Sequence, residues 1–128
     1  MVKSFRDLTV WQKALALAEH VYLASENFPK SEAFGLTPQM RRAVVSIPSN
    51  IAEGKAISGR AYLKHLRIAL GSEAELQTQI EIATRLKMLN QSDAERLLNE
   101  TSEVGRMLIG LLRSLSRGVR KSSNHLTT

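Results

Sequence analysis

In FGLTPQMRRAVVSIPSNIAEG, residues Phe34 to Gly54, a helix start leads into an apolar stripe of helical period with a proline inside it. Thr37-Pro38 is the start. Threonine caps free N–H groups, and proline suits the first helical position. Met40, Val44, Ile47 and Ile51 then fall at spacings of 4, 3 and 4 on one face. Pro48 lacks an N–H donor and disfavours the α region for Ile47, so it should break the helix. The apolar spacing nevertheless stays in phase across it, which predicts one kinked helix from Thr37 to Gly54 or Lys55. Arg42, Ser46, Ser49 and Glu53 keep the same rhythm on the opposite side. Two readings stand for that face: solvated surface, or polar contact surface for another subunit or a ligand. Serine and asparagine are poor choices for a plain exposed helix, because their side chains compete with its backbone bonds. Asn50 and Gly54 are the residues that would permit close packing against a neighbouring helix.

The rest of the chain carries the same periodicity. Helix 1 is predicted from Asp7, its cap, to Phe28, where Pro29 stops it. Its stripe is Trp11, Leu15, Ala18, Tyr22 and Ser25, flanked by Ala14, Leu17 and Val21. Trp11 is read as a core or interface anchor and His20 as surface. Helix 3 is predicted from Gly59 to Met88, about 45 Å long. Tyr62, Leu66, Ala69, Glu73, Leu76, Ile80 and Ala83 form its stripe, widened by Leu63, Leu70 and Leu86. Gly71-Ser72 at mid-helix costs about 1 kcal/mol against alanine and predicts close approach by a neighbour. Glu73 lies on the apolar stripe beside Glu75. Either it is buried and partnered, with Arg41 or Arg42 as candidates, or it sits in water at the stripe's edge. Asn90-Gln91 reads as a turn, and Ser92 with Glu95 as a capping box. Helix 4 then carries Leu97, Thr101, Val104, Leu108, Leu111 and Leu115 to about Leu115 or Gly118.

Four amphipathic helices with short links predict an all-α, antiparallel up-down-up-down four-helix bundle with left-handed packing. The 128 residues make one domain over 1–118 and a frayed polar tail over 119–128, which holds His125. Low aromatic and glycine content argues against β architecture, and neither repeats nor low-complexity segments occur. Cysteine is absent, so no disulfide framework or thiolate metal site is available. No apolar run is long enough to span a membrane, and the N-terminus lacks a secretory pattern, so a cytoplasmic location is expected. Glu73 with Glu75 could suggest acid–base or metal chemistry, but no histidine pattern accompanies them. No catalytic, cofactor-binding or metal-ligating residues are assigned, and no small-molecule substrate or membrane partner is expected. Helix 3 outruns helix 2, which would leave part of its stripe uncovered and favours oligomerisation.

Charge supplies the functional clue. The chain has a net charge of +6, unevenly placed. Residues 1–72 hold ten basic and five acidic side chains; residues 73–103 hold three and seven; residues 104–128 hold five and none. Folding the bundle brings the start of helix 1, the end of helix 2, the start of helix 3 and the end of helix 4 to one pole. Lys3, Arg6, Lys55, Arg60, Lys64, Arg67, Arg113, Arg117, Arg120 and Lys121 gather there, opposed by Asp7 and Glu53. The helix dipole accounts for Lys55, Arg113 and Arg117 at helix ends, but not for Arg60 and Lys64 near a helix start. A polyanion-binding pole is the reading that covers all of them. Its contacts would be to phosphate, since no aromatic residues are interleaved for base stacking.

The residues Phe5, Asp7-Leu8, VWQKA (10–14), Phe28-Pro29, Glu32, Phe34-Gly35-Leu36, QMRRA (39–43), SIPSNIAEG (46–54), Gly71-Ser72 and ELQTQ (75–79) resemble a bacterial four-helix bundle family. That family includes proteins encoded within intervening sequences of large-subunit ribosomal RNA genes. Related to them are the accessory variability proteins of diversity-generating retroelements. The likeness spans residues 5–115, and the run 46–54 is its most specific part. It implies a homo-oligomer, a ring-shaped pentamer, and no enzyme activity. In the retroelement branch it implies binding to RNA and to a reverse transcriptase. The expectation is therefore a non-enzymatic scaffold that binds nucleic acid, RNA before DNA, through Lys55, Arg60, Lys64, Arg67, Arg113, Arg117, Arg120 and Lys121. The alternative is an adaptor whose basic pole meets an acidic protein such as a reverse transcriptase. Arg41, Arg42, Ser46, Ser49, Asn50 and Glu53 form the candidate oligomer or family-motif surface.

Overall fold

A computed structural model describes residues 4–126, with side chains through Val119. A 3₁₀ turn over Phe5–Asp7 precedes α1 (Thr9–Ser25). A second short turn, Lys30–Glu32, leads into α2 (Leu36–Ile57), which is followed by α3 (Gly59–Arg85) and α4 (Gln91–Leu126). Helix α2 packs on α3, α3 on α4, and α1 on both α2 and α4, closing a four-helix bundle without strands among the described residues. Neighbouring helices run in opposite senses. Ser46 meets Ser72 and Asn50 meets His65 across α2 and α3, while Lys13 meets Glu103 and His20 meets Glu100 across α1 and α4.

Pro48 does lie inside one continuous helix. Met40, Val44, Ile47 and Ile51 are all fully buried, so tertiary packing outweighs the missing hydrogen bond. The Asn50 amide also donates to the Ser46 carbonyl at 2.9 Å, an extra bond on the turn that the proline weakens. In α3 every member of the predicted stripe is buried, Glu73 included at 5% exposure. The long α4 covers this stripe, so the mismatch between α2 and α3 leaves none of it bare. Oligomerisation finds no support there. In α4 Leu97, Thr101, Val104 and Leu108 are buried, and the Thr101 hydroxyl is satisfied by the Leu97 carbonyl at 2.6 Å.

Several expectations shift. The buried face of α1 is Val10, Ala14, Leu17, Val21 and Ser25: of the stripe headed by Trp11 only Ser25 is buried, and the residues predicted to flank it carry the face. Leu15 and Tyr22 are more than a third exposed, and Trp11 lies half-buried, edge-on to Phe5 at 5.2 Å. Helix α1 begins at Thr9, because Ser4 and Asp7 cap the separate turn before it instead of α1 itself. It ends at Ser25, four residues ahead of Pro29, which has no N–H to give the Ser25 carbonyl and whose ring would clash with it in a continued helix. His20 is half-buried and bonded to Glu100 at 2.7 Å. Leu86 is 63% exposed, because α3 ends at Arg85 and Leu86 is its C-cap. The cap of α4 is Asn90, whose side-chain oxygen accepts the Asp93 N–H at 2.7 Å, two residues ahead of the predicted Ser92. Gly118 does not end α4. With no proline after it, the helix runs on to Leu126.

Candidate nucleic-acid interface

Helix α3 carries Arg60, Lys64 and Arg67 at spacings of 4 and 3, so one face of its first two turns presents three cations. Arg113 and Arg117 do the same on α4, four residues apart. The register between the two helices is fixed by Glu73, which sits against Gly105. Counting back from that pair along antiparallel helices sets Arg67 beside Arg113 and Arg117. These three arginines do converge on one groove of about 350 Å³. Its walls and floor are Arg67, Leu70, Ile109, Leu112, Arg113, Ser116 and Arg117, with no acidic side chain among them. Arg67, Arg113 and Arg117 are exposed.

Two more predicted cations continue the same face of α3. Lys64 and Arg60 are exposed, one and two turns nearer the start of α3 than Arg67. Lys55 is half-buried at the end of α2. Lys3 and the side chains of Arg120 and Lys121 fall outside the described residues, although the backbone of α4 continues through both positions. The apolar floor of Leu70, Ile109 and Leu112 was not legible as part of a site. Each belongs by period to a hydrophobic face, and only the α3–α4 register shows the three rimmed by arginines.

The family-motif face of α2 is a second, different site. Arg41 is pinned to α1: its Nε donates to Ser25 Oγ at 2.9 Å, and its guanidinium lies 4.6 Å from the centre of the Tyr22 ring. Ser46 and Asn50 are tied to α3. Ser46 Oγ meets Ser72 Oγ at 2.8 Å, and Asn50 Oδ1 meets His65 Nδ1 at 2.9 Å. Glu53 reaches the same His65 nitrogen at 3.5 Å. Arg42, Ser49 and Glu53 are exposed. Tyr22, Pro38, Arg41, Arg42, Val45, Ser46, Ser49 and Asn50 together line a groove of about 610 Å³. Tyr22 and Val45, 41% and 42% exposed, give it an apolar rim.

Close packing explains the end of the motif. A Cβ on Gly54 would stand 2.9 Å from Tyr62 Cδ1 and from His65 Cβ, and 3.3 Å from Tyr62 Cα. Gly54 is thus a point of close approach between α2 and α3. Gly71 has no such role, since nothing lies within 4 Å of where its Cβ would be. Of the Gly71-Ser72 pair only the serine makes the contact, through Ser46. Glu73 takes neither Arg41 nor Arg42 as a partner. Gln77, one turn along α3, donates to its carboxylate, and burial pushes its carboxyl above the ordinary carboxylate range. Among the described residues no group of three or more acidic or histidine side chains could hold a metal, and no helix is long and apolar enough to cross a membrane.

These features coincide with a known sequence pattern. The model of the 23S rRNA-intervening sequence protein family matches residues 6–110. The chain belongs to that family. Its fold is also similar to that of a crystal structure from Bacteroides thetaiotaomicron VPI-5482, described as a protein with unknown function from the S23 ribosomal protein family. The two share 25% sequence identity and superpose with a TM-score of 0.73, over 81% of this chain and 98% of the other. No curated protein matches the sequence.

Proposed function

We propose that this protein is a non-enzymatic, homo-oligomeric helical scaffold that binds nucleic acid, RNA before DNA, through the pole built by the start of α3 and the end of α4. The observation that carries the reading is the convergence of Arg67, Arg113 and Arg117 on one groove that no carboxylate lines. Cations grouped without counter-charge attract a polyanion, and each phosphate they neutralise releases counterions and steepens the salt dependence. The preference for RNA follows from the family, whose members are associated with 23S ribosomal RNA intervening sequences by description. Self-association uses the other groove, where Tyr22 and Val45 stand half-exposed beside the outward-facing Arg42 and Ser49. In a ring of copies the basic pole would recur around the axis, adding contacts along one nucleic-acid chain.

The test is fluorescence polarisation of a labelled structured RNA and a matched duplex DNA, each titrated across a salt series. Micromolar or tighter binding is expected, with a steep salt slope that becomes shallower in Arg113→Glu/Arg117→Glu. The absence of binding to either nucleic acid at low salt would overturn the reading in favour of an adaptor whose basic pole meets an acidic protein.

A further inference from the structure

The arginine-rimmed groove between α3 and α4 has an apolar floor that a phosphate contact alone would leave unused. Leu70 and Leu112 are half-buried there, and Ile109 is 39% exposed. A cluster made only to hold phosphates gains nothing from an exposed isoleucine and two half-buried leucines between its cations. Resting on the nucleic-acid reading above, we propose that this groove seats an unpaired base of single-stranded RNA, with Leu70, Ile109 and Leu112 under the ring and Arg67, Arg113 and Arg117 on the flanking phosphates.

Size and shape support the assignment. At about 350 Å³ the groove lies at the small end of the range for ligand pockets, roughly 300–1,000 Å³. Three apolar side chains form too short a floor for an amphipathic helix, which anchors through a row at i, i+3, i+4 and i+7. A second copy of the same pole would set arginines against arginines. A duplex keeps its bases stacked inside and cannot reach the floor, whereas unpaired bases splay out and can stack on guanidinium planes such as those of Arg67, Arg113 and Arg117. Ser116, also on the groove wall, adds a hydroxyl within the site for a sugar or base edge. Base contact thus comes from an aliphatic floor and guanidinium planes, without the interleaved aromatic residues that base stacking most often employs.

The test compares a labelled single-stranded RNA with a strand of the same length in which the bases are replaced by abasic sites. Both carry the same phosphates, so electrostatics alone cannot separate them. The intact strand is expected to bind about fivefold more tightly, with the same salt slope, the low end of what stacking on an aromatic ring contributes, because the floor here is aliphatic. Ile109→Ser, a change at an exposed position, should remove most of that difference. Equal affinity for the two strands would overturn the base-seating proposal and leave the phosphate-binding reading intact. Binding of neither strand at low salt would overturn both. A short acidic peptide that displaces the intact strand and itself loses affinity in Ile109→Ser would hand the groove to a protein partner.

Discussion

Glu73 on α3 occupies the space that a side chain at Gly105 on α4 would need: a Cβ there would lie 2.5 Å from the carboxylate Oε1 and 2.8 Å from Cδ. The pair explains two oddities at once, a carboxylate in an apolar stripe and a glycine inside a long helix. It also fixes the register that brings Arg67 beside Arg113 and Arg117.

Gly105→Ala should therefore destabilise the protein by about 1–2 kcal/mol, the usual scale of overpacking. The colliding atoms are the end of a flexible side chain, but that end is buried and held by Gln77, so it has little room to yield. In a Glu73→Ala background the same change should become stabilising by about 1 kcal/mol, the helix-propensity gain of alanine over glycine. Urea denaturation of the four proteins in this double-mutant cycle measures the coupling. Additive effects would show that the two residues do not contact.

Glu73 also makes stability depend on pH in an unusual direction. Desolvation raises its carboxyl, and the opposing bond from Gln77 does not compensate. The folded protein therefore keeps this proton to higher pH than the unfolded chain does. Between the two values the unfolded state binds fewer protons, so this group's contribution falls as pH rises and is fully lost above the native value. Glu73→Gln, which can still accept from Gln77, should be more stable than the wild type at neutral pH. Their urea midpoints should approach each other as pH is lowered toward 4.5, the ordinary value for the group. Parallel profiles across that range would contradict the burial of a raised carboxyl.

Gly54 marks a contact of the other kind, in which the obstacle includes the Tyr62 backbone and cannot swing aside. Gly54→Ala should cost about 2–3 kcal/mol despite the better helix propensity of alanine. Forcing α2 and α3 apart should also break the bond between Asn50 and His65. The chemical shift of the His65 ring protons reports this separately from global stability. An alanine variant as stable as the wild type would mean that the helices are not in close contact here.

Legibility from the sequence tracks how far a feature depends on one helix alone. The apolar members of the α3 stripe were readable because its spacing never leaves phase from Tyr62 to Ala83, whereas the sequence left Glu73 open between the core and the stripe's edge, and only the structure buries it. In α1 the buried face lies one position from the predicted stripe: Trp11 and Tyr22 are the larger side chains, yet Val10, Ala14 and Leu17 face the core. Size marks hydrophobic capacity, and only the neighbouring helices decide which face is covered. The same holds for the glycines. Gly71 and Gly105 look alike in the sequence, but the residue opposite each differs: open space for one and Glu73 for the other. The approach of Arg67 to Arg113 and Arg117 was legible from helix polarity, whereas the apolar residues between them required the α3–α4 register.

The link that orients the basic face of α3 carries local strain. Ser58 has φ 64° and ψ −174°, a combination almost confined to glycine, and Gly59 follows with φ 64°. Ser58→Gly should stabilise the protein by about 1 kcal/mol, the relieved strain being partly offset by the greater freedom of glycine in the unfolded chain. Gly59→Ala should destabilise by a similar amount, because its Cβ meets no atom within 4 Å and only the backbone conformation opposes it. Thermal unfolding compares the two, and effects of the same sign would sink the assignment of strain. Neither change removes a cation. Nucleic-acid affinity should therefore hold in Ser58→Gly, and any loss in Gly59→Ala should track the displacement of Arg60 and Lys64 from the line that runs to Arg67.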